Sequence, residues 1–408
     1  MSHRSITALA LVVTGALAAT TVSMPTAFAA DDENQAQSTV IPNSGTPTPE
    51  DTQASSNGAQ SGALAPSDTT DEAGDENASA TPEPADDTPT TIIVQLEDGN
   101  VGIPWYNRIF GLSISTKHET GKSRIETAVE TSGPGSDVTD VLDYTKAFDG
   151  FAIQAPASSL ETIKATQGVK AAFIERHLKP LVVEGDTGVS GVDAVNPDLK
   201  NGSSLEMTRA NQTSQKGDKQ VIEVIDTGIE STHPAFSGPM DDVPVRLSHK
   251  DVESLVGTLS HGKQGAYLNK KIPFVFDYAD NDANVLPTST KDLSHGTHVA
   301  AIAAANAPDL QGTAPNAQII VAKVAADKDG SIPDSTVLAA LDDAVIIKPD
   351  SINLSLGDDA GWGSEAGTVY AEVYKNLAEA GVSANAAAGN PYSTALYHFS
   401  GQGLPYVI

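Results

Sequence analysis

From Lys219 onward, short apolar runs alternate with longer stretches whose apolar residues recur at helical spacing. The runs Val221–Ile225, Ile319–Val324, Ser351–Leu354 and Val382–Ala387 predict strands. His298–Ala305, Ser335–Ala344 and Val369–Ala380 predict helices. Strands alternating with helices make an α/β fold, with a parallel sheet flanked by helices. Two residues sit badly in this pattern. Glu223 stands inside the first run, where an unpaired charge is costly, and Asn385 interrupts the last. Upstream, the pattern changes to a small α+β unit over residues 91–182. Thr91–Leu96 reads as a strand ended by Glu-Asp-Gly-Asn, and Asp143–Ala155 as a hairpin around an Asp149-Gly150 turn. Ser158 and Ser159 cap a short helix, Leu160–Thr166, before Val169–Glu175 resumes as a strand. Most of this unit's sheet signal lies at its two ends. Residues 183–212 read as an accessible connecting loop.

Composition alters the picture mainly at the start. Asp31–Thr90 is rich in Asp, Glu, Pro, Ser and Thr and contains no Lys or Arg, so residues 30–90 are expected to be a disordered acidic linker. Ahead of it, Arg4, the apolar stretch Ile6–Ala19 and Ala27-Phe28-Ala29 have the order of a secretory signal over residues 1–29. A membrane anchor is the competing reading, but the run is too short to span about 30 Å of hydrocarbon. The chain of 408 residues has 53 acidic and 24 basic side chains, a net charge of −29, which excludes nucleic acid as a natural partner. It has no cysteine, so disulfides and thiolate metal sites are unavailable. Export without disulfides fits a Gram-positive type of secretion, either free or at the cell envelope.

The candidate chemistry lies where predicted strands stop or helices start. Asp226 ends the first run and is followed by Thr227-Gly228; His295 opens Gly-Thr-His-Val-Ala; Asn390 ends Ala-Ala-Gly-Asn. An acid can orient an imidazole, and a fixed amide can donate to an oxyanion, where removing the donor costs about 3–4 kcal/mol of barrier. Ser355-Leu356-Gly357 leaves room for another backbone to lie alongside. Each segment alone also has an ordinary reading: a turn, a helix start, a loop pair, a strand end. His295 and His298 lie three apart, but lack the flanking carboxylate of a zinc protease motif. No metal or cofactor is predicted, and no calcium site is legible.

Taken together, Asp226-Thr-Gly, His295-Gly-Thr-His-Val-Ala, Ser355-Leu356-Gly357 and Ala-Gly-Asn390 resemble the subtilisin-like serine proteases, in their order Asp…His…Ser. The segment from Gly312 to Gln318 is similar to the one after the family's histidine helix. Residues 271–280 look like the lactocepin-type cell-envelope proteinases, and residues 91–180 resemble the subtilase propeptide, an inhibitory domain expected to be ferredoxin-like. The resemblance covers about residues 90–408. It implies a secreted endopeptidase precursor acting on extracellular polypeptides, with its own propeptide as intramolecular inhibitor. Asp226 would orient His295, which would act as general base and then acid; Asn390 would hold the oxyanion; Ser355, Leu356 and Gly357 would pair with the substrate backbone. Because the imidazole must be neutral, activity should fall as pH drops through roughly 6–7.

The sequence also departs from that family. Its nucleophile sits in a Gly-Thr-Ser motif after the oxyanion asparagine, and no such motif follows Asn390; neither Ser393 nor Ser400 has that setting. Residues 213–408 therefore read as the N-terminal part of a catalytic domain, incomplete and inactive as they stand. Ala301 takes the place of a family glycine. The alternative reading is a noncatalytic secreted inhibitor or binding protein on a degenerate subtilase fold.

Overall fold

The computed structural model describes residues 88–97, 113–131, 137–180, 205, 208–287, 294–357 and 364–387. The expected signal (1–29), nearly all of the linker, most of the 183–212 connection, Asn390, Ser393 and Ser400 lie outside the described residues. Among the described residues no helix is long and apolar enough to cross a membrane.

The α+β unit runs β1 (Pro89–Leu96), α1 (Ser113–Glu130), β2 (Thr139–Tyr144), β3 (Gly150–Pro156), α2 (Leu160–Lys164) and β4 (Val169–Ile174). Its antiparallel sheet has the order β2-β3-β1-β4, the split βαβ arrangement of ferredoxin-like folds. β1 is apolar without alternation because both sheet faces are covered. Ile92, Val94 and Leu96 pack with Ile125 and Val129 of α1 and Ile163 of α2. Ile93, with Ala152, Ala171 and Phe173, joins a second cluster on the opposite face.

Three features of this unit differ from expectation. Ser158 and Ser159 lie in a 3₁₀ turn and make no side-chain cap, the Ser159 hydroxyl donating instead to the Pro156 carbonyl at 2.6 Å. The hairpin is present, but residues 145–149 form its loop in place of a two-residue turn. Gly150 is instead the first residue of β3, where a Cβ would come within 2.2 Å of the Val94 carbonyl. Helix α1 was not expected at all. Its buried stripe consists of His118, Gly121, Ile125 and Val129, so half of the helical repeat is written in residues that do not read as apolar. His118 is buried between the carboxylates of Asp143 (3.0 Å) and Asp149 (2.7 Å). Burial pushes the imidazole toward the neutral form, but the two acids outweigh it and its pKa is raised.

In the α/β part, β6 (Val221–Asp226) is the central strand. Helix α3 (His249–Val256) starts at a reciprocal Ser248–Asp251 capping box and is followed by β7 (Phe274–Asp277). Then come α4 (His295–Ala304), the small hairpin β8–β9 (Asn306–Ala307 and Leu310–Gln311), β10 (Gln318–Lys323) and β11 (Ile332–Pro333). Helix α5 (Asp334–Ile347), β12 (Ser351–Leu354), β13 (Leu356–Gly357), α6 (Ser364–Glu379) and β14 (Ser383–Ala386) complete the described order. The sheet β14-β12-β6-β10-β7 is parallel throughout. On one face Val224, Val275, Ile319 and Val321 pack with Ala300 and Ala304 of α4. On the other, Val221, Ile225, Ile320 and Ile352 pack with Val337 and Leu341 of α5 and Val373 and Leu377 of α6. Asn385 does not interrupt β14: its amide donates to Ser351 Oγ (2.8 Å) and the Ile352 carbonyl (3.0 Å), which satisfies it within the sheet.

The α+β sheet rests on α5 and α6, with Tyr144, Phe148 and Phe173 in one apolar cluster with Tyr370 and Tyr374. Two adjacent buried acids of α5 anchor loops. Asp342 Oδ1 accepts the backbone amides of Thr145, Lys146 and Ala147 at 3.1, 2.7 and 2.7 Å. The Asp343 carboxylate accepts those of Ser260, His261 and Gly262 and the Tyr278 hydroxyl. The amide donors offset part of the cost of burying these groups, although burial still raises the Asp343 pKa.

Candidate active site

The carboxyl end of β6 and the amino end of α4 meet through a short set of polar contacts. His295 Nδ1 lies 2.9 Å from Asp226 Oδ1 and 3.1 Å from Oδ2. Facing a carboxylate, Nδ1 carries the proton and donates, which leaves Nε2 as the basic nitrogen. Asp226 is 1% exposed, and its Oδ1 also accepts the Thr227 amide at 2.7 Å. Thr227 Oγ1 accepts the Gly296 amide at 3.1 Å, tying the turn after β6 to the residue after the imidazole.

Glycine makes this approach possible at two places. Gly228 has φ of +99°, and a Cβ there would come within 2.5 Å of the Val285 carbonyl. A Cβ on Gly296 would come within 2.2 Å of the Gly228 carbonyl and 3.1 Å of Asp226 Oδ1. The Asp-Thr-Gly and His-Gly-Thr spacings thus serve one close backbone crossing. His298 is exposed on α4, while Nδ1 of His295 faces Asp226.

The Ser355-Leu356-Gly357 segment already has a strand beside it. After β4 the chain continues as β5 (His177–Pro180), which lies between β11 and β13. Both pairings are antiparallel: Ile332 faces Leu178 and Pro333 faces His177, while Leu356 faces Pro180 and Gly357 faces Lys179. Ser355 Oγ accepts from Asn353 Nδ2 at 3.0 Å. An extended peptide thus lies along the segment that was singled out for backbone pairing, and it comes from the chain's own α+β unit.

Sequence reasoning missed a row of charge at the carboxyl ends of three neighbouring strands. Asp226, Lys323 and Asp277 stand in register across β6, β10 and β7. The wholly buried Lys323 ammonium is 2.7 Å from Asp277 Oδ2 and also contacts Asp327. Burial opposes its charge, yet the two carboxylates raise its pKa. Carboxylate oxygens of Asp277, Asp280 and Asp327 lie within 4.8 Å of one another, a grouping able to hold a cation, and Lys323 supplies positive charge there. The stem of Lys323 lies against Gly228, so this group sits behind the Asp226 turn. The signal that would have found it is the alignment of strand ends, since Lys323 and Asp277 each close an apolar run.

Residues 217–403 match the family model described as "Subtilase family". The chain is 32% identical over 255 residues to the PI-type proteinase of Lactococcus lactis subsp. cremoris, covering 60% of this chain and 12% of that protein. It is 31% identical over 255 residues to the PII-type proteinase of Lacticaseibacillus paracasei, with the same coverage. The match thus spans 12% of the length of these curated relatives. Among solved structures, the epidermin leader peptide processing serine protease from Staphylococcus aureus is similar over 73% of this chain and 60% of that one, with a TM-score of 0.41 and 12% identity.

Proposed function

We propose that the chain is the precursor and partial catalytic domain of a secreted serine endopeptidase of the subtilase family, in its lactocepin-type branch; residues 217–403 match the family's model, and similar relatives include lactococcal proteinases. The observation that carries this reading is the 2.9 Å contact between His295 Nδ1 and Asp226, held by a strand end and a helix start. Asp226 fixes the tautomer and orientation of the ring. His295 Nε2 takes the proton of a serine hydroxyl as that oxygen attacks the peptide carbonyl, then returns it to the leaving amine. Asn390 donates to the oxyanion formed in between. No Gly-Thr-Ser motif occurs in these 408 residues, and the proposal assigns the nucleophile to none of their serines.

In the same proposal residues 1–29 direct export, and residues 30–90 are a spacer. Residues 91–182 are an inhibitory propeptide, released by a cut within residues 183–212. The seating of β5 between β11 and β13 supports this reading, because it covers two strand edges that an extended substrate would need. Substrates would be extracellular polypeptides, met in the medium or at the cell envelope.

Supplied with a Gly-Thr-Ser segment, by continuing the reading frame or by grafting the matching part of a lactococcal relative, the protein should cleave a fluorogenic peptide. A serine-directed fluorophosphonate and His295→Ala should each abolish turnover. Undiminished cleavage by His295→Ala would end the assignment. An inert protein that still binds peptides would favour the noncatalytic binding module.

A further inference from the structure

The residue just ahead of β5 is Arg176, and its guanidinium reaches a carboxylate in the wall of the groove. Arg176 Nε donates to Asp334 Oδ2 at 2.9 Å, and Nη2 donates to Oδ1 at 2.8 Å. The Arg176 backbone amide also donates to Oδ2 (3.1 Å), while the Asp334 amide donates to the Arg176 carbonyl (3.0 Å). Tyr370 Oη completes the set, donating to Asp334 Oδ1 at 2.6 Å. Asp334 is wholly buried. An acid in the first turn of a helix ordinarily serves the helix dipole. These oxygens accept instead from the segment leading into β5 and from α6. The two-pronged pairing suits a planar guanidinium far better than an ammonium.

Asp334 and Tyr370 belong to α5 and α6, whereas Arg176 belongs to the unit that the proposed function removes. Without that unit Asp334 keeps Tyr370 among these donors and gains water, and a guanidinium brought to the same place would restore the two-pronged pairing. A chain that replaces β5 is therefore favoured if it brings a guanidinium to the same place. Leu178, two residues on and so on the same side of an extended chain, is buried in the cluster that contains Ile332 and Leu356. The Phe173 ring, 5.8 Å from the guanidinium, would leave with the α+β unit.

We infer that Asp334 and Tyr370 form a specificity subsite for an arginine side chain of an extended peptide, placed two residues before an aliphatic side chain. This rests on the reading of β5 as occupant of a substrate groove. It narrows the substrate class from polypeptides in general to those carrying an Arg-x-Leu pattern.

The test uses the 408-residue chain with its own strand disabled by Arg176→Ala and Leu178→Asp, and the labelled peptide Glu-Arg-His-Leu-Lys-Pro, read by fluorescence anisotropy. This peptide should bind about 30-fold more tightly than a version with neutral, nearly isosteric citrulline in place of arginine. Asp334→Asn in the same background should erase that difference. Equal affinities for the two peptides in the parent background overturn the subsite and leave the groove standing. Binding of neither overturns the groove reading, and the subsite with it. Should the double variant not fold, the otherwise unchanged chain, cut at a protease site inserted within residues 181–212, takes its place. Release of the N-terminal unit by the arginine peptide at about 30-fold lower concentration supports the subsite; release by both peptides at equal concentration overturns it.

Discussion

Glu223 and Asp226 are carboxylic acids three residues apart on β6, both buried and both in the central strand of the parallel sheet. They have opposite fates. Asp226 lies at the strand's carboxyl end, where the chain turns and a helix begins, and it is met by His295 and by the Thr227 amide. Glu223 lies mid-strand, where backbone amides are taken up in the sheet, on the face that also holds Tyr278 and Asp343. Neither of its oxygens has a hydrogen-bond partner, and burial, with a smaller push from Asp343, raises its pKa to about 8. A strand end can offer a carboxylate hydrogen-bond donors; a strand middle without them favours the protonated form.

The largest effect should come from breaking the strand-end case. In the serine-supplied protein, Asp226→Asn keeps the volume but reverses the tautomer that His295 is held in. Turnover of a fluorogenic peptide should fall by about 10⁴-fold, the order seen for such triad changes, while the melting temperature moves little. A loss below about tenfold would mean that the strand-end acid does not act through the imidazole.

Next comes Glu223→Leu. The folded-state pKa of about 8 lies above the ordinary 4.5, so the native protein holds a proton that the unfolded chain releases. This contribution to stability is fully present below about pH 4.5, declines as pH rises, and levels off above about pH 8. By the size of the shift it amounts to as much as roughly 4–5 kcal/mol, an upper bound that relaxation around the group would lower. Leucine removes the proton linkage. Urea unfolding at pH 5 and pH 8.5 should show the variant gaining on the parent at the higher pH. Parallel behaviour at both would show that Glu223 has found a partner after all.

That contrast also explains what could be read from the residues alone. The parallel sheet was legible because β6, β10 and β12 are apolar runs at the right spacing, and a buried glutamate in one of them could be marked as costly. The Asp226–His295 approach was legible because an acid, an imidazole and two glycines are needed there and little else serves. Three kinds of feature were not. Helix α1 hides its buried stripe behind His118 and Gly121, whose burial depends on Asp143, Asp149 and Leu96 from other elements. Strand β7 is short and gains its place from pairing with β10 and with the loop residues Ala266 and Asp282. The pairings Lys323–Asp277 and Arg176–Asp334 join residues far apart in the chain, and no periodicity announces a partner at that distance.

The smallest effect comes from a third buried carboxylate, which shows how little is needed to turn the Glu223 case into a tolerable one. Asp342 is as buried as Glu223, yet its Oδ1 collects the amides of Thr145, Lys146 and Ala147 from the β2–β3 loop. Asp342→Ala leaves those three donors without their acceptor, and hydrogen bonds to a charged group are each worth about 1.5–3 kcal/mol before compensation by water. Because the loop can open toward solvent, the net cost should be about 2 kcal/mol. It should appear locally, as faster amide hydrogen exchange at residues 145–147 and in the strands they join, ahead of any change around β6. Uniform acceleration across both sheets would mean that Asp342 supports the whole core, and the distinction between a carboxylate that anchors a loop and one stranded in a strand would then fail.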